Sequence, residues 1–367
     1  MLTWLVCALV ALAAVLTLLP LSRSEQWWVR LWDFPRLQIA VGAILGAALA
    51  LGLPLEPVAL AWPVAGVALA CAAYQAIWIL PYTPLWKRQV RRSGGADDAP
   101  RLRILVSNVL MTNRDSSRLL AQIRANRPDV VVTLETDAWW QQELDALADD
   151  YPNAQRCPLP NLYGMHVYSR LPLLDGRTQF LIDPAIPSMH MLVELPTGDR
   201  VRLHCLHPMP PSPTEKDEST ERDAELVVVG RSVARASLPV IVTGDLNDVA
   251  WSRTTRLFLK VSGLLDPRRG RGMYSTFHAG NPLVRWPLDH VFHSNDFLLS
   301  FIQRLPAMGS DHFPILFELV LSPRAGAAQQ SLDGDSADQA EAQEKVEDAD
   351  AEDVHVHAPG EPKVAGR

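Results

Sequence analysis

Paired cysteines are missing from this chain. Cys7, Cys71, Cys157 and Cys205 are its four cysteines and no CxxC joins any of them, which argues against a disulfide framework or a structural zinc site. No HExxH or other compact zinc motif occurs either. Charge is sparse: only 20% of the 367 residues are Asp, Glu, Lys or Arg, and the formal net of −7 sits at one end. From Ser331 onward eleven acidic residues face Lys345, Lys363 and Arg367, a local net of −8, so everything before sums to about +1. No broad basic surface exists to drive non-specific nucleic-acid binding. With 48% hydrophobic residues, a wholly disordered or collagen-like chain is also excluded.

The first 86 residues carry almost no charge and hold seven of the eleven tryptophans. Three apolar runs, about residues 2–20, 37–55 and 58–80, each approach the roughly 20 residues that a helix needs to cross a bilayer. Pro54, Leu55, Glu56 and Pro57 form a tight turn between the last two. Trp27, Trp28, Trp32, Trp78, Tyr82 and Trp86 are placed as interfacial belt residues. A cleaved signal peptide fits less well, because the first run has no Lys or Arg before it and two further runs follow. With three spans, the loop with Arg23, Arg30 and Arg36 shares a side with Lys87, Arg88, Arg91 and Arg92. The positive-inside rule makes that side cytoplasmic, so the expectation is a multi-pass plasma (inner) membrane protein with its downstream domain in the cytoplasm. Residues 87–100 read as a basic and polar linker.

After Pro100, β-type runs alternate with helical ones, the signature of an α/β domain over residues 101–322. The runs are Leu102–Val106, Val130–Leu134, His166–Tyr168, Met191–Leu195, Val201–Leu206, Val240–Thr243, Leu288–Phe292 and Ile315–Leu321. Helices are expected over Ser116–Asn126 and between Glu215 and Ala236, where Leu226, Val229 and Val233 share a face. The tail, residues 323–367, is rich in Ala, Gln, Asp and Glu without aromatics and is expected to be disordered. Polar residues punctuate the strand ends: Asn108, Glu135, His207, Asp245, Asn247, Asp289, Asp311 and His312. Singly, each has a structural reading as a turn cap, a helix N-cap partner or a core histidine. Together, at strand ends where α/β sheets collect ligands, they are residue types used for metal and phosphate chemistry.

The motifs resemble those of the endonuclease/exonuclease/phosphatase superfamily, which includes deoxyribonuclease I, exonuclease III, sphingomyelinases and inositol-polyphosphate 5-phosphatases. In chain order they are Ser107-Asn108-Val109, Pro128–Glu135, Gly164 with Ser169-Arg170, His207-Pro208, Gly244-Asp245-Leu246-Asn247, Pro287–Phe292 and Gly309–Pro314. The resemblance covers about residues 101–321 and implies a four-layer α/β sandwich, two packed mixed β-sheets flanked by helices, here preceded by about three transmembrane helices.

The resemblance further implies a metal-dependent phosphoesterase that uses Mg²⁺, with Mn²⁺ as the alternative. Glu135 is then the principal metal ligand, Asn108 lies beside it, and Asp311 adds a contact. His312 is expected to activate water, with Asp289 fixing its tautomer. Asp245 bears on the water or the phosphate, Asn247 donates to a phosphoryl oxygen, and His207 stabilises the phosphate or the leaving group. His207 keeps a structural alternative as a strand-end residue held by Pro208, and Arg170 is as readily a surface salt-bridge partner as a phosphate contact. The expected partners are a phosphoester substrate, either nucleic acid or lipid and small phosphodiester, and the bilayer around the helices; no protein partner is implied. The competing function is a catalytically silent membrane scaffold that uses the fold as a binding module, against which the intact set of polar residues argues.

Overall fold

A computed structural model describes residues 1–94 and 99–361. The chain divides into two compact units: Met1–Lys87 with Pro211–Ser219 and Gly270–Gly272, and Arg88–Pro210, Thr220–Arg269 and Met273–Arg367.

The first unit is helical: α1 (Leu2–Leu18), α2 (Trp27–Arg30), α3 (Arg36–Gly52) and α4 (Ala61–Ile79). Small side chains face the helix contacts, among them Ala43, Ala47, Ala50, Ala65, Ala68 and Ala72. A Cβ on Gly46 would stand 2.7 Å from Val10 Cγ2, so glycine is what allows α3 and α1 to approach this closely. Leu2–Ser22 and Val58–Tyr82 are long and apolar enough to cross a membrane. The expected middle span is different: Trp27–Asp33 and Arg36–Gly52 qualify only as a pair, bent by 71° at the break. Pro35 sits at that break as the N-cap of α3, where a proline ends one helix and starts the next. Arg30 and Arg36, expected in a solvated loop, are buried. Arg36 donates to Gln75 Oε1 (3.0 Å) and to Asp33, and Gln75 donates to Thr17 Oγ1 (3.0 Å). Within the same unit, Trp27 N–H donates to Asp217 O at 2.7 Å and Gly270 N–H to Pro81 O at 2.8 Å.

The second unit is a layered α/β sandwich. Its strands are β1 (Arg101–Asn108), β2 (Val130–Leu134), β3 (Asn153–Cys157), β4 (Met165–Ser169), β5 (Leu173–Gln179), β6 (Ser188–Glu194), β7 (Arg200–Leu206), β8 (Val240–Asp245), β9 (Asp289–His293), β10 (Phe297–Arg304) and β11 (Ile315–Leu321). Its helices are α5 (Ser117–Asn126), α6 (Ala138–Leu144), α7 (Thr220–Val233), α8 (Arg253–Ser262), α9 (Pro323–Gly326) and α10 (Ser336–Asp348). One sheet runs β10-β11-β1-β2-β4-β3 and the other β5-β6-β7-β8-β9. Each is mixed, with one parallel pair, β1 with β2 and β7 with β8, among antiparallel neighbours.

Strand periodicity explains the layering. Ile104 and Val106, Val130 and Val132, Leu203 and Cys205, and Ile241 point into one shared core between the sheets. The alternate residues face outward: Leu105 and Val131 against Leu119, Ile123 and Trp140 of α5 and α6, and Val240 and Val242 against Leu226, Val229 and Phe258 of α7 and α8. Both faces of β1, β2 and β8 are therefore covered, which is why Ile104–Val106, Val130–Val132 and Val240–Val242 read as continuous apolar runs.

Two expectations fail here. Part of the supposed linker is built into the sandwich: Val90 is buried in the core between the sheets, and Leu299 N–H donates to Arg91 O and Ser93 N–H to Leu299 O, both at 2.9 Å. Gly95 to Asp98 of that linker lie outside the described residues. The tail also folds. Asp335 and Asp338 form a capping box at the start of α10, Ala342 and Val346 pack on Val227, Val228, Leu257 and Val261, and Lys260 and Arg253 bind Asp338 and Glu341. Its acidic composition suits basic partners on α8, and two small apolar residues suffice for the seam.

Candidate active site

The expected site residues come from the carboxyl ends of both parallel pairs and from the starts of β9 and β11. Asn108 closes β1, and its Nδ2 donates to Glu135 Oε1 (2.7 Å) and to Asp245 Oδ2 (3.1 Å), joining one sheet to the other. Its Oδ1 accepts from Leu110 N–H at 3.0 Å. Asn108 thus turns its N–H side to the carboxylates and works as their clamp, rather than offering an oxygen beside Glu135.

Glu135 follows β2 with φ of +59°, and Asn247 follows β8 with φ of +51°. Left-handed backbone at a non-glycine residue is uncommon and costs energy, and such strain concentrates at functional positions. Gly164 lets the neighbouring loop close behind Glu135, for a Cβ there would stand 1.8 Å from Thr136 O. Gly244 does the same for Asp245: its φ is +141° and a Cβ would meet Leu206 O at 1.9 Å. Burial pushes the Glu135 carboxyl up to about 7; the Asn108 hydrogen bond opposes this, and nearby Asp245 and Asp311 add to it.

His312 lies between two carboxylates. Its Nδ1 meets Asp289 Oδ2 at 2.8 Å and its Nε2 lies 3.4 Å from Asp245 Oδ2. Burial works against its charge, but Asp289 and Asp245 outweigh burial and raise it to about 10. Ser310 Oγ donates to Asn108 O (2.8 Å) and accepts from His312 N–H (3.0 Å), which ties the histidine to β1. Phe277 packs on the His312 ring at 5.0 Å between centroids. Sequence reasoning did not single out Ser310 or Phe277 for a role; the position of Ser310 two residues before His312 was the available signal.

His207 is buried, packs at 5.1 Å on the Tyr163 ring, and is pushed down to about 4 by burial, against the pull of Asp245. Its Nδ1 has no hydrogen-bond partner among the described residues. Asn247 Nδ2 donates to Pro208 O at 3.0 Å, so one of its amide hydrogens holds the His207 turn. Asp311 is part-exposed and accepts from Ser310 Oγ at 3.3 Å. Arg170 stands apart: Ser169 pairs with Val130 at the start of β2, the end opposite Glu135, and Arg170 lines a small pocket with Arg124, Arg127 and Tyr151. Trp140 is core, Trp139 lies under Arg114, and Asp248 accepts from Ser252 Oγ and Val249 N–H.

Four carboxylates, Glu135, Asp245, Asp289 and Asp311, stand with one charged imidazole, His312, while burial keeps His207 neutral. Asp245, Asp289 and His312 place ligand atoms within 4.8 Å of one another and form a possible metal-binding cluster. Asp289 Oδ1 is buried without a partner among the described residues. An excess of hard oxygen donors with an orphaned carboxylate oxygen fits a divalent cation.

The sequence profile of the Endonuclease/Exonuclease/phosphatase family matches residues 105–312. Among solved structures, an endonuclease/exonuclease/phosphatase from Beutenbergia cavernae DSM 12333 superposes with a TM-score of 0.50 and 20% identity, covering 61% of this chain and 72% of its own. D. rerio TDP2, solved with a single-strand DNA product, gives 0.50 at 18% identity over 60% of this chain and 98% of that one. The human Nocturnin catalytic domain, with bound sulfate, gives 0.50 at 16% identity over 61% and 94%. No curated protein matches the chain. At these identities the structures establish a common fold, and the profile spans more than half of the residues, from β1 to His312. The chain belongs to the endonuclease/exonuclease/phosphatase family.

Proposed function

We propose that the sandwich unit hydrolyses a phosphoester bond with the help of a divalent cation, Mg²⁺ first among candidates. The observation that carries this reading is the continuous bonded path Glu135–Asn108–Asp245–His312–Asp289, which crosses both sheets and leaves negative charge in excess. Glu135 and Asp311, next to the Asp245, Asp289 and His312 cluster, would hold the cation, which would supply charge neutralisation on the phosphoryl oxygens. Asn108 fixes Glu135 and Asp245 at a set separation. His312 moves the proton of the attacking water, Asp289 holds its tautomer, and Asp245 orients it from the other ring nitrogen. His207, neutral and with one free ring nitrogen, faces the phosphate or the leaving oxygen, and the second amide hydrogen of Asn247 supports the phosphate.

His312 acting as a base must first lose the proton that its two carboxylates hold. A rate carried by neutral imidazole rises with pH towards about 10, and one carried by the imidazolium falls over the same range. We further propose that the helical unit anchors the protein in a plasma (inner) membrane, with the sandwich unit in the cytoplasm. Two helices of sufficient length and apolarity support this, and the bent pair, read as one span, would supply the third that the placement needs.

The test is hydrolysis of an aryl phosphodiester by the full-length protein in detergent, with and without Mg²⁺. Activity that needs the metal, and drops at least about a hundredfold in His312→Ala and in Glu135→Ala, supports the reading. Wild type no faster than these variants overturns it and leaves the fold as a binding module. Protease digestion of intact spheroplasts tests the placement: loss of the sandwich unit there excludes the cytoplasmic side.

A further inference from the structure

Several arginines of the sandwich unit are paired with a carboxylate. Arg101 and Arg103 meet Glu318, Arg114 meets Asp137, and Arg268 meets Asp266. Arg285 and Arg304 have none among the described residues. Arg285 donates from Nε to His278 O (3.2 Å) and from Nη2 to Ala279 O (3.0 Å), and Arg304 donates from Nη1 to Ser275 O (2.8 Å). Backbone carbonyls fix their orientation and leave their charge uncompensated.

Both guanidiniums lie against one ring, with Arg304 Cζ 4.3 Å and Arg285 Cζ 5.0 Å from the centroid of Phe313. Two cations sharing one aromatic surface repel, and Arg304 is lowered by burial and by Arg285. This arrangement sits on the residue after His312. The hairpin that supplies the carbonyls is tied to the same run, since Ala279 N–H donates to Asp311 O (2.6 Å) and Phe313 N–H to Thr276 O (2.9 Å). Its Phe277 packs on the His312 ring.

We propose that Arg285 and Arg304 form an anion subsite that takes a second phosphate of the substrate, beside the phosphoester handled at Glu135 and His312. The inference rests on the phosphoesterase reading for the first phosphate and adds that the natural substrate carries more than one. Guanidinium forks with free N–H donors match phosphoryl oxygens in shape and charge, and an arriving anion removes the repulsion between the two cations. A nucleotide chain and a polyphosphorylated lipid headgroup both present such a group.

The test uses the full-length protein with two nitrophenyl esters that share a leaving group: thymidine 5′-nitrophenyl phosphate and the same molecule with an added 3′-phosphate. The added phosphate raises kcat/KM about tenfold in the wild type, the scale of one charge-assisted contact, and the ratio falls to about one in Arg285→Gln/Arg304→Gln. Because Arg285 also braces the hairpin, Arg304→Gln alone gives an intermediate ratio with folding intact, and Arg304→Lys restores part of it. A ratio equal in wild type and variants overturns the subsite. If neither ester is cleaved, the phosphoesterase reading fails separately, and titration with pyrophosphate decides: binding lost in the double variant supports the subsite, and binding unchanged or absent overturns it. Competition by pentathymidylate or by micelles of diacylglycerol pyrophosphate, abolished in the double variant, identifies the fitting carrier; competition that survives the substitutions also overturns the proposal.

Discussion

Two polar clusters of the sandwich unit are both built around buried aspartates and differ in charge balance. Behind β8, Arg222 pairs with Asp223 and Asp248, and Lys345 of α10 reaches Asp223 at 2.6 Å; cations and carboxylates match. At the strand ends, Glu135, Asp245, Asp289 and Asp311 share only His312. Burying matched charges gives a rigid joint, because removing either partner strands the other. Burying mismatched charges leaves a site that a cation completes, and it weakens the empty chain. The comparison separates residues kept for the fold from residues kept for chemistry.

The largest effect is expected at the balanced cluster. Asp223→Ala removes the carboxylate that Arg222 and Lys345 share and lowers stability by about 3–5 kcal/mol, seen as a loss in urea midpoint. Next comes the mismatched cluster, where His312→Ala and Glu135→Ala remove at least about a hundredfold in kcat/KM, and Glu135→Ala does so without lowering the urea midpoint. If Glu135→Ala unfolds the chain instead, the distinction between the clusters is lost.

A third test exploits buried histidines in which, unlike His312, burial outweighs any nearby carboxylate. Burial pushes His166 down to about 4 and His204 to about 3. In the unfolded chain both titrate at the ordinary value, so below about pH 6.5 the unfolded state binds more protons. Stability therefore falls as pH drops from about 6.5 towards 4, at up to about 1.4 kcal/mol per pH unit for each group. His166→Leu and His204→Gln should flatten that acid limb in thermal melts. The smallest effect sharpens the comparison most: Glu135→Gln removes one of the crowded carboxylates and should raise the stability of the metal-free protein at pH 8 by about 1 kcal/mol, with the sign opposite to Asp223→Ala.

Strand-end chemistry was legible in the sequence because β2, β8 up to Thr243 and the Ile104–Val106 end of β1 are apolar on both faces, so a polar residue after each run is conspicuous. The balanced cluster was not legible: Asp223, Asp248 and Lys345 are far apart in the chain and look like ordinary surface charges until α7, α8 and α10 pack. The edge strand β5, with its exposed Asp175 and Gly176, has no apolar run to announce it. Residue type shows an amide at Asn108, but the bonds that join it to Glu135 and Asp245 appear only once the two sheets pack. α10 escaped because its buried face holds only two apolar residues, Ala342 and Val346, beside the charged Lys345.

The helical unit draws on three separate stretches of chain, Met1–Lys87, Pro211–Ser219 and Gly270–Gly272. At roughly 5–20 residues per second of synthesis, its last piece emerges roughly 10–40 s after Lys87. The N-terminal helices therefore wait, unfinished, while most of the sandwich unit is being made. Assembly of the two units is interleaved in time: neither is a module that a ribosome completes before starting the other, and a nascent chain halted before Gly270 holds the helices in a form that the mature protein never shows.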